Sequence, residues 1–473
     1  MSGAGHAAIV DLVREGSTRA TSRESGATRA IVTSSCTSSY LPVFASSGHS
    51  QVNFMPKTIL ITGGGVIGLS IAYYARQKGH RVMLVERGAP AHDSCSLGNA
   101  GMVVPSHFVP LAAPGMVGYG LRTMWNPESP FYIRPRLSRD LIDWGLKFMR
   151  ASSATHVARA APLLRDLNFA SRACYVELAD AWGNEFGLVQ KGLLMLCKTE
   201  HALRDEAALA AKAQALGIPA EVMTPEQVRA LDPQVTMAVA GGVYFPKDCH
   251  LSPNRFVAGL TRQLEASGAT FHWQTAVTGW QVANGAITAV QTTAGRLEAD
   301  EYVVAGGSWT PEVVRGLGLN LPMQAGKGYS LTLAQPRQLP EVCAIFVEAR
   351  VAVTPMNGSV RFGGTMEITG LDETINPARV RGIIKSVPQY YPAFAESDFA
   401  GVTPWRGLRP VTPDGLPYIG RLHDYRNLSV AAGHAMMGLS LGPITGKLMA
   451  QVLSDEVGTI DLALVHPERF SGS

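Results

Sequence analysis

Paired cysteines are the first thing missing from this 473-residue chain. The six cysteines, Cys36, Cys95, Cys174, Cys197, Cys249 and Cys343, lie far apart without a C-x-x-C pair, which excludes the spacing of a zinc site or a disulfide framework. No metal is expected, and free, mostly buried thiols in a reducing, cytoplasmic setting are the simplest account. Long apolar runs are also absent. Nothing approaches the ~18 residues that span a bilayer, although a short amphipathic patch resting on the inner face of a membrane would leave no comparable mark. Charge of one sign is scarce as well: the formal net charge is +4, and the 41 Lys and Arg are scattered instead of forming a basic stripe. That argues against a nucleic-acid partner. What the chain does have is 46% hydrophobic content, 49 Gly and 29 Pro, enough for two or three domains with many tight turns.

Residues 1–54 differ from the rest. Ser, Thr, Ala and Gly dominate, with arginines dotted among them and no sustained apolar period. Such a composition cannot repay the entropy of ordering. The segment is expected to be disordered or a non-native extension, with the working start at Met55-Pro56-Lys57. A transit-like peptide is the rival reading, but Asp11, Glu15 and Glu24 spoil its acid-poor pattern.

A complete local signal follows. Thr58–Thr62 is a short apolar strand, Gly63-Gly64-Gly65-Val66-Ile67-Gly68 a glycine loop, and the next stretch a helix stopped by Gly79. Arg81–Val85 is a second strand that ends at Glu86. Each part has a physical task. Gly63 permits the tight turn, Gly65 lets backbone approach a pyrophosphate, and Gly68 lets helix and strand pack closely. The helix N-terminus offers N–H groups to phosphate oxygens, and Glu86 can accept from ribose hydroxyls. Beyond it, Ser94–Met102 is a loop of small residues able to lie against a large flat cofactor, where a nicotinamide enzyme would continue with strand-helix repeats.

Further along, Ser252-Pro253 opens a helix that Gly268 ends. A meander is expected next: Ala269–Gln274, Gly279–Ala283, an Asn284-Gly285 turn, Ala286–Thr293, and a turn at Ala294-Gly295. Tyr302–Ala305 is a buried strand running into Gly306-Gly307-Ser308-Trp309, and Thr310 with Pro311 caps another helix.

A Rossmann-like unit interrupted by a meander resembles the α/β FAD fold of glutathione-reductase-type flavoproteins. Within it, Gly63–Glu86, Gly98-Asn-Ala-Gly101, Ala305–Trp309, Lys327-Gly-Tyr-Ser330, Gly407-Leu-Arg-Pro410, Thr412-Pro-Asp-Gly415 and Gly433–Gly438 run in one order. This order resembles the D-amino acid oxidase/dehydrogenase family, which includes glycine oxidase, sarcosine oxidase and bacterial D-amino acid dehydrogenase. Gly98–Gly101, Lys327–Ser330 and Met124–Pro135 look more like the dehydrogenases. The resemblance implies an FAD domain from 55–105, 241–320 and 405–458. It also implies a mixed α+β substrate domain from 106–240 and 321–404, with 459–473 as a tail.

The same resemblance implies site residues. The cofactor would meet Gly63, Gly65, Val66, Ile67, Gly68, Glu86, Arg87, Asn99, Ala100, Gly101, Met102, Val277, Gly306, Trp309, Gly433, His434, Gly438, Leu439 and Ser440. A helix starting near Gly438 would point its positive end at the flavin. Gly407 stands where sarcosine oxidase-like members attach flavin covalently, so FAD is expected to be non-covalent. Arg409 would grip the substrate carboxylate through its planar fork, with Arg406 the rival on the other side of the strand. Tyr329 and His434 would touch substrate, and Lys327 is expected at the solvated surface. Met436 and Met437 replace the second arginine of glycine oxidase-like members, which makes glycine a poorer substrate. No side chain is expected to act as acid or base. The implied reaction is hydride transfer from the α-carbon of a small D-amino or cyclic imino acid such as proline or hydroxyproline. Electrons would go to a quinone or another non-oxygen acceptor. A peroxide-forming oxidase, a non-catalytic FAD-holding subunit and a nicotinamide enzyme are the alternatives.

Overall fold

The computed structural model describes residues 55–471 except 92, 124, 125, 127 and 137. The expectation for residues 1–54, and part of the Met124–Pro135 stretch, lie outside the described residues.

Thr58–Thr62 forms a central strand because its apolar run is flanked on both sides by parallel partners, Arg81–Val85 and Glu301–Val304. The sheet has six strands, in the spatial order Tyr418–Arg421, Leu428–Ala432, Glu301–Val304, Thr58–Thr62, Arg81–Val85, Thr270–His272. Every neighbouring pair is parallel except the first. Strands buried on both faces read as continuous apolar runs, and Ile59, Leu60 and Ile61 are fully buried. The helix Val66–Gln77 packs on one face together with Pro253–Ala266 and Gly438–Leu453. A three-stranded antiparallel sheet, Val277–Ala283, Ala286–Thr292 and Gly295–Leu297, intervenes between Thr270–His272 and Glu301–Val304. Its first turn carries positive φ at Asn284 and Gly285, the geometry that pairing favours in a two-residue hairpin. The segment Ala269–Gln274, expected in this meander, instead supplies the edge of the six-stranded sheet.

The second sheet has nine strands. Its path runs from Trp405–Val411 through Gln324–Leu333, Ser359–Ile368, Val351–Met356, Cys343–Phe346, Leu193–Cys197 and Gly241–Phe245 to Glu221–Met223, with Phe131–Ile133 paired to Ser359–Ile368. Two boundaries therefore move. Gly241–Phe245 and Trp405–Val411 were expected with the FAD-binding segments, yet both are hydrogen-bonded into this larger sheet. The helix Pro377–Tyr390 covers one face of it over an apolar core that includes Phe346, Phe362 and Tyr390.

Candidate active site

The glycine loop leaves no room for other residues at two positions. Gly63 has φ +112°, and a Cβ there would lie 2.3 Å from the Ala305 carbonyl oxygen; at Gly68 it would lie 1.9 Å from that of Gly63. Gly65 is different, since a Cβ would meet only Ser96 Oγ at 3.5 Å. The protein itself leaves that approach open, the clearance a molecule docked against the loop would need. Gly65 caps the helix without a side-chain bond, and its first turn holds no acid. Val66 N–H donates to Ser96 Oγ at 3.0 Å. Glu86 accepts the Gly64 N–H at 2.6 Å on one oxygen and the Gly88 N–H at 2.7 Å on the other, which holds the carboxylate at the loop. Beside it the Arg87 guanidinium stacks 3.6 Å over the Trp309 ring, joining the ends of two parallel strands near Val277 and Gly306.

A second uncapped helix N-terminus arrives from the far end of the chain. Gly438–Leu453 also begins without a side-chain cap or an acid. It meets the first helix at glycines: a Cβ on Gly446 would sit 2.5 Å from the Ser70 carbonyl oxygen, and on Gly442 3.1 Å from Val66. The two positive helix ends thus converge, an arrangement suited to an anionic or electron-accepting ligand. Gly433 (φ +79°) turns the chain into this helix. Leu439 and Ser440 offer only backbone to a ligand, because Leu439 is buried with its carbonyl accepting from the Tyr175 hydroxyl at 2.6 Å. Ser440 Oγ donates to Asn168 at 2.8 Å and accepts the Val104 N–H at 3.1 Å. His434 is buried, with Nε2 3.0 Å from Thr445 Oγ1 and Nδ1 without a protein partner. Burial pushes its imidazole down to about 3, so it is neutral. An orphaned nitrogen and two bare helix ends fit a bound dinucleotide cofactor. Asn99 shapes the small-residue loop: its side chain accepts the Gly101 N–H at 2.9 Å, and Ala100 and Met102 follow the chain into the strand Met102–Val103.

Arg409 lies on the edge strand of the nine-stranded sheet, opposite Gly326. Its guanidinium lies over Gly328, where a Cβ would come within 2.3 Å of Cζ. It donates to the Thr365 carbonyl, and no carboxylate pairs with it among the described residues. Burial lowers its pKa from the ordinary arginine value, with the nearby Cys95 a smaller influence. Burial likewise pushes the Cys95 thiol up to about 11 despite the neighbouring guanidinium. A cation left without a counter-ion is costly unless something anionic arrives. Arg406 already has partners: it pairs with Asp93 and Glu373 on the opposite side of the strand.

Two expectations are corrected here. Tyr329 stands opposite Arg406, and directly opposed residues share a face of a sheet. Its hydroxyl therefore points away from Arg409, donating to Glu367 at 2.6 Å and accepting the Asn376 N–H at 3.1 Å. It cannot line the same cavity. Lys327 is not a surface residue: it is 2% exposed, 3.1 Å from Asp372 and 2.6 Å from the Thr374 carbonyl. Both belong to a buried polar network with Glu367 and Arg379.

Sequence reasoning missed three participants. Thr365 has φ +69°, unusual for a β-branched residue, at the bulge between the strands of Lys327 and Glu367. That strained turn aims its carbonyl at Arg409. Arg361, on Arg409's face, donates to the Leu97 and Asn99 carbonyls at 2.9 and 2.7 Å, which clamps the small-residue loop to the sheet. Trp405 lies between Gly98 and Gly407, where a Cβ at either would fall 2.0 Å from its ring. Gly98, Ser330, Arg361 and Trp405 line a cavity of about 540 Å³ on this face.

Two bare helix ends and a strand-end carboxylate at a glycine loop mark a dinucleotide-binding α/β protein, with Arg409 left without a carboxylate partner among the described residues. The chain belongs to the DAO family of FAD-dependent oxidoreductases, whose profile matches residues 58–452. FAD is its cofactor. Among its relatives are proteins named D-amino acid dehydrogenase: one from Granulibacter bethesdensis is 31% identical over 419 residues, covering 88% of this chain and all of that one. Another, from Methylobacterium radiotolerans, is 33% identical over 415 residues, 86% of this chain and 98% of that one. Glycine oxidase from Geobacillus kaustophilus is similar in structure, with a TM-score of 0.70 and 25% identity, covering 88% of this chain and 99% of that one. L-proline dehydrogenase from P. horikoshii shares the fold at a TM-score of 0.66, covering 88% of this chain and 99% of that one, with 18% identity.

Proposed function

We propose that this enzyme is an FAD-dependent D-amino acid dehydrogenase acting on a small D-amino or cyclic imino acid, proline and hydroxyproline included. The observation that carries the reading is Arg409, a half-buried guanidinium near Cys95 of the small-residue loop, without a carboxylate of its own among the described residues. Its planar fork matches a substrate carboxylate and fixes orientation as well as charge. FAD, held non-covalently, would supply the hydride acceptor. The Cα–H bond breaks with its electron pair, the neutral amine's lone pair forms C=N, and the nitrogen's surplus proton leaves to water. A linear imine then takes up water and yields a 2-oxo acid and ammonia, whereas a cyclic one leaves intact. The protein contributes orientation and water exclusion, and no side-chain base is assigned.

The glycine loop, Glu86, Arg87, Asn99–Met102, Val277, Gly306, Trp309 and the 433–440 segment hold the cofactor in this reading. Neutral His434 lies at its edge, close to the substrate. The cofactor domain comprises about 55–105, 246–320 and 412–458, with the nine-stranded sheet forming the substrate domain and 459–473 a tail. Electrons pass to a quinone or another non-oxygen acceptor, with the enzyme in the cytoplasm and in peripheral contact with the inner face of a membrane.

A second reading, a glycine-type oxidase, draws on the likeness to glycine oxidase. Against it, Met436 and Met437 occupy the flavin-side loop and bring no second cation. Anaerobic mixing with D-amino acids, L-amino acids, prolines and sarcosine, followed by parallel peroxide and dye-reduction assays, separates the two. Bleaching by D-amino acids with dye reduction and little peroxide supports the dehydrogenase. Failure of every amino acid to bleach the flavin overturns both and points to the non-catalytic subunit.

A further inference from the structure

The helix Arg139–Ala151 buries Trp144 against half-buried Phe148, their rings stacking with centroids 5.0 Å apart, and Trp144 Nε1 donates to the Val411 carbonyl at 2.9 Å. Its inner face is thereby fixed to the end of the Arg409 strand. The outer face is unusual. Ile142, Leu146 and Met149 are 54%, 47% and 51% exposed. At 100° per residue they fall within an arc of about 60°, with Arg139 and Arg150 bordering it on one side. Behind them, Leu111, Met116, Val117, Phe131, Ile133 and Ile368 wall an almost wholly apolar cleft of about 380 Å³. Single exposed apolar residues need no explanation, but a contiguous stripe with a cleft behind it does.

Charge selects the occupant. Residues 116–150 carry six basic side chains against three acidic ones, and Arg122, Arg134, Arg139 and Arg150 are all exposed. A second copy of this face would bring like charges together. An anionic bilayer offers both complements at once, acyl chains for the stripe and phosphates for the arginines. We propose that this helix and its apolar cleft are the surface by which the protein docks on an anionic lipid bilayer, with Ile142, Leu146 and Met149 inserted at the headgroup boundary. This surface gives a location to the peripheral contact proposed above and rests on it. Vesicle binding is read without turnover, so its failure leaves the reaction standing.

The test uses the full FAD-loaded chain and vesicles of phosphatidylcholine with or without phosphatidylglycerol. Wild-type protein is expected to sediment with the anionic vesicles, and less so with neutral vesicles or at high salt. The triple variant Ile142→Ser, Leu146→Ser, Met149→Ser should bind at least about tenfold more weakly while keeping its flavin spectrum and its bleaching by substrate. Arg139→Glu with Arg150→Glu should erase the preference for anionic vesicles. The proposal is overturned if wild-type protein stays in the supernatant, or if the triple variant sediments as well as wild type. A wild-type dimer in light scattering that the triple variant disperses would assign the face to a second copy instead.

Discussion

Replacing Arg409 by Leu tests the central assignment most directly. A bound carboxylate would take two charge-assisted hydrogen bonds from the guanidinium, each worth about 1.5–3 kcal/mol. Losing both removes about 3–6 kcal/mol, or about a hundredfold to ten-thousandfold in the second-order rate of flavin reduction. The fold itself should not suffer. The side chain has no ion pair to lose among the described residues, it donates to the Thr365 carbonyl alone, and burial already works against its charge. Wild-type thermal stability and a full complement of FAD are therefore expected beside the loss of rate. Arg409→Lys keeps the charge without the fork and should recover part of the rate, remaining about tenfold or more below wild type. Anaerobic stopped-flow bleaching of the flavin's visible absorbance supplies the readout. An Arg409→Leu variant reduced within a few-fold of the wild-type rate would refute the reasoning.

Other outcomes follow from the same geometry. Gly328→Ala places a Cβ 2.3 Å from Arg409 Cζ, so KM should rise about tenfold or more, as expected when reacting groups are misplaced; an unchanged KM in steady-state kinetics would show the guanidinium is not poised there. Tyr329→Phe should leave KM untouched, since the hydroxyl faces the other side of the sheet, and cost about 1–3 kcal/mol in urea unfolding through the Glu367 network. Thr365→Gly should stabilise by about 1 kcal/mol by relieving a left-handed β-branched residue, measured by the same unfolding curves. His434 has a folded pKa near 3, below the ordinary 6.5, so the unfolded state binds the extra proton. Its contribution is complete above pH 6.5 and is lost as pH falls towards 3, by about 1.4 kcal/mol per pH unit. His434→Asn should flatten the pH dependence of stability in that window by this slope, and an unchanged slope would mean the imidazole is not held neutral.

Local signals were readable from sequence wherever neighbours in the chain are neighbours in space. The strand, glycine loop, helix and Glu86 form one continuous unit, and Gly68 there answers to the Gly63 carbonyl, whereas Gly63 answers to the remote Ala305 carbonyl. Arg409 stood out through its motif, and the structure leaves it without a carboxylate partner among the described residues. Tyr329 and Lys327 were not legible, because the face a strand residue occupies depends on which strand lies opposite, and the partners at 405–411 and 359–368 are remote in sequence. The same non-local pairing moved Gly241–Phe245 and Trp405–Val411 into the larger sheet. Thr365 gave no hint: a turn that asks for left-handed backbone normally shows glycine, and here the glycines are its neighbours Gly363 and Gly364. Arg361 read as one basic residue among 41, and only the approach of the Leu97 and Asn99 carbonyls gives it a task.

The glycine contact between the helices Val66–Gln77 and Gly438–Leu453 has a consequence for biosynthesis. One jaw of the cradle, ending at Gln77, is synthesised long before the other, which begins at Gly438. Nascent protein consequently holds a half-formed grip until the second helix emerges, and loading with the yellow prosthetic group has to await it.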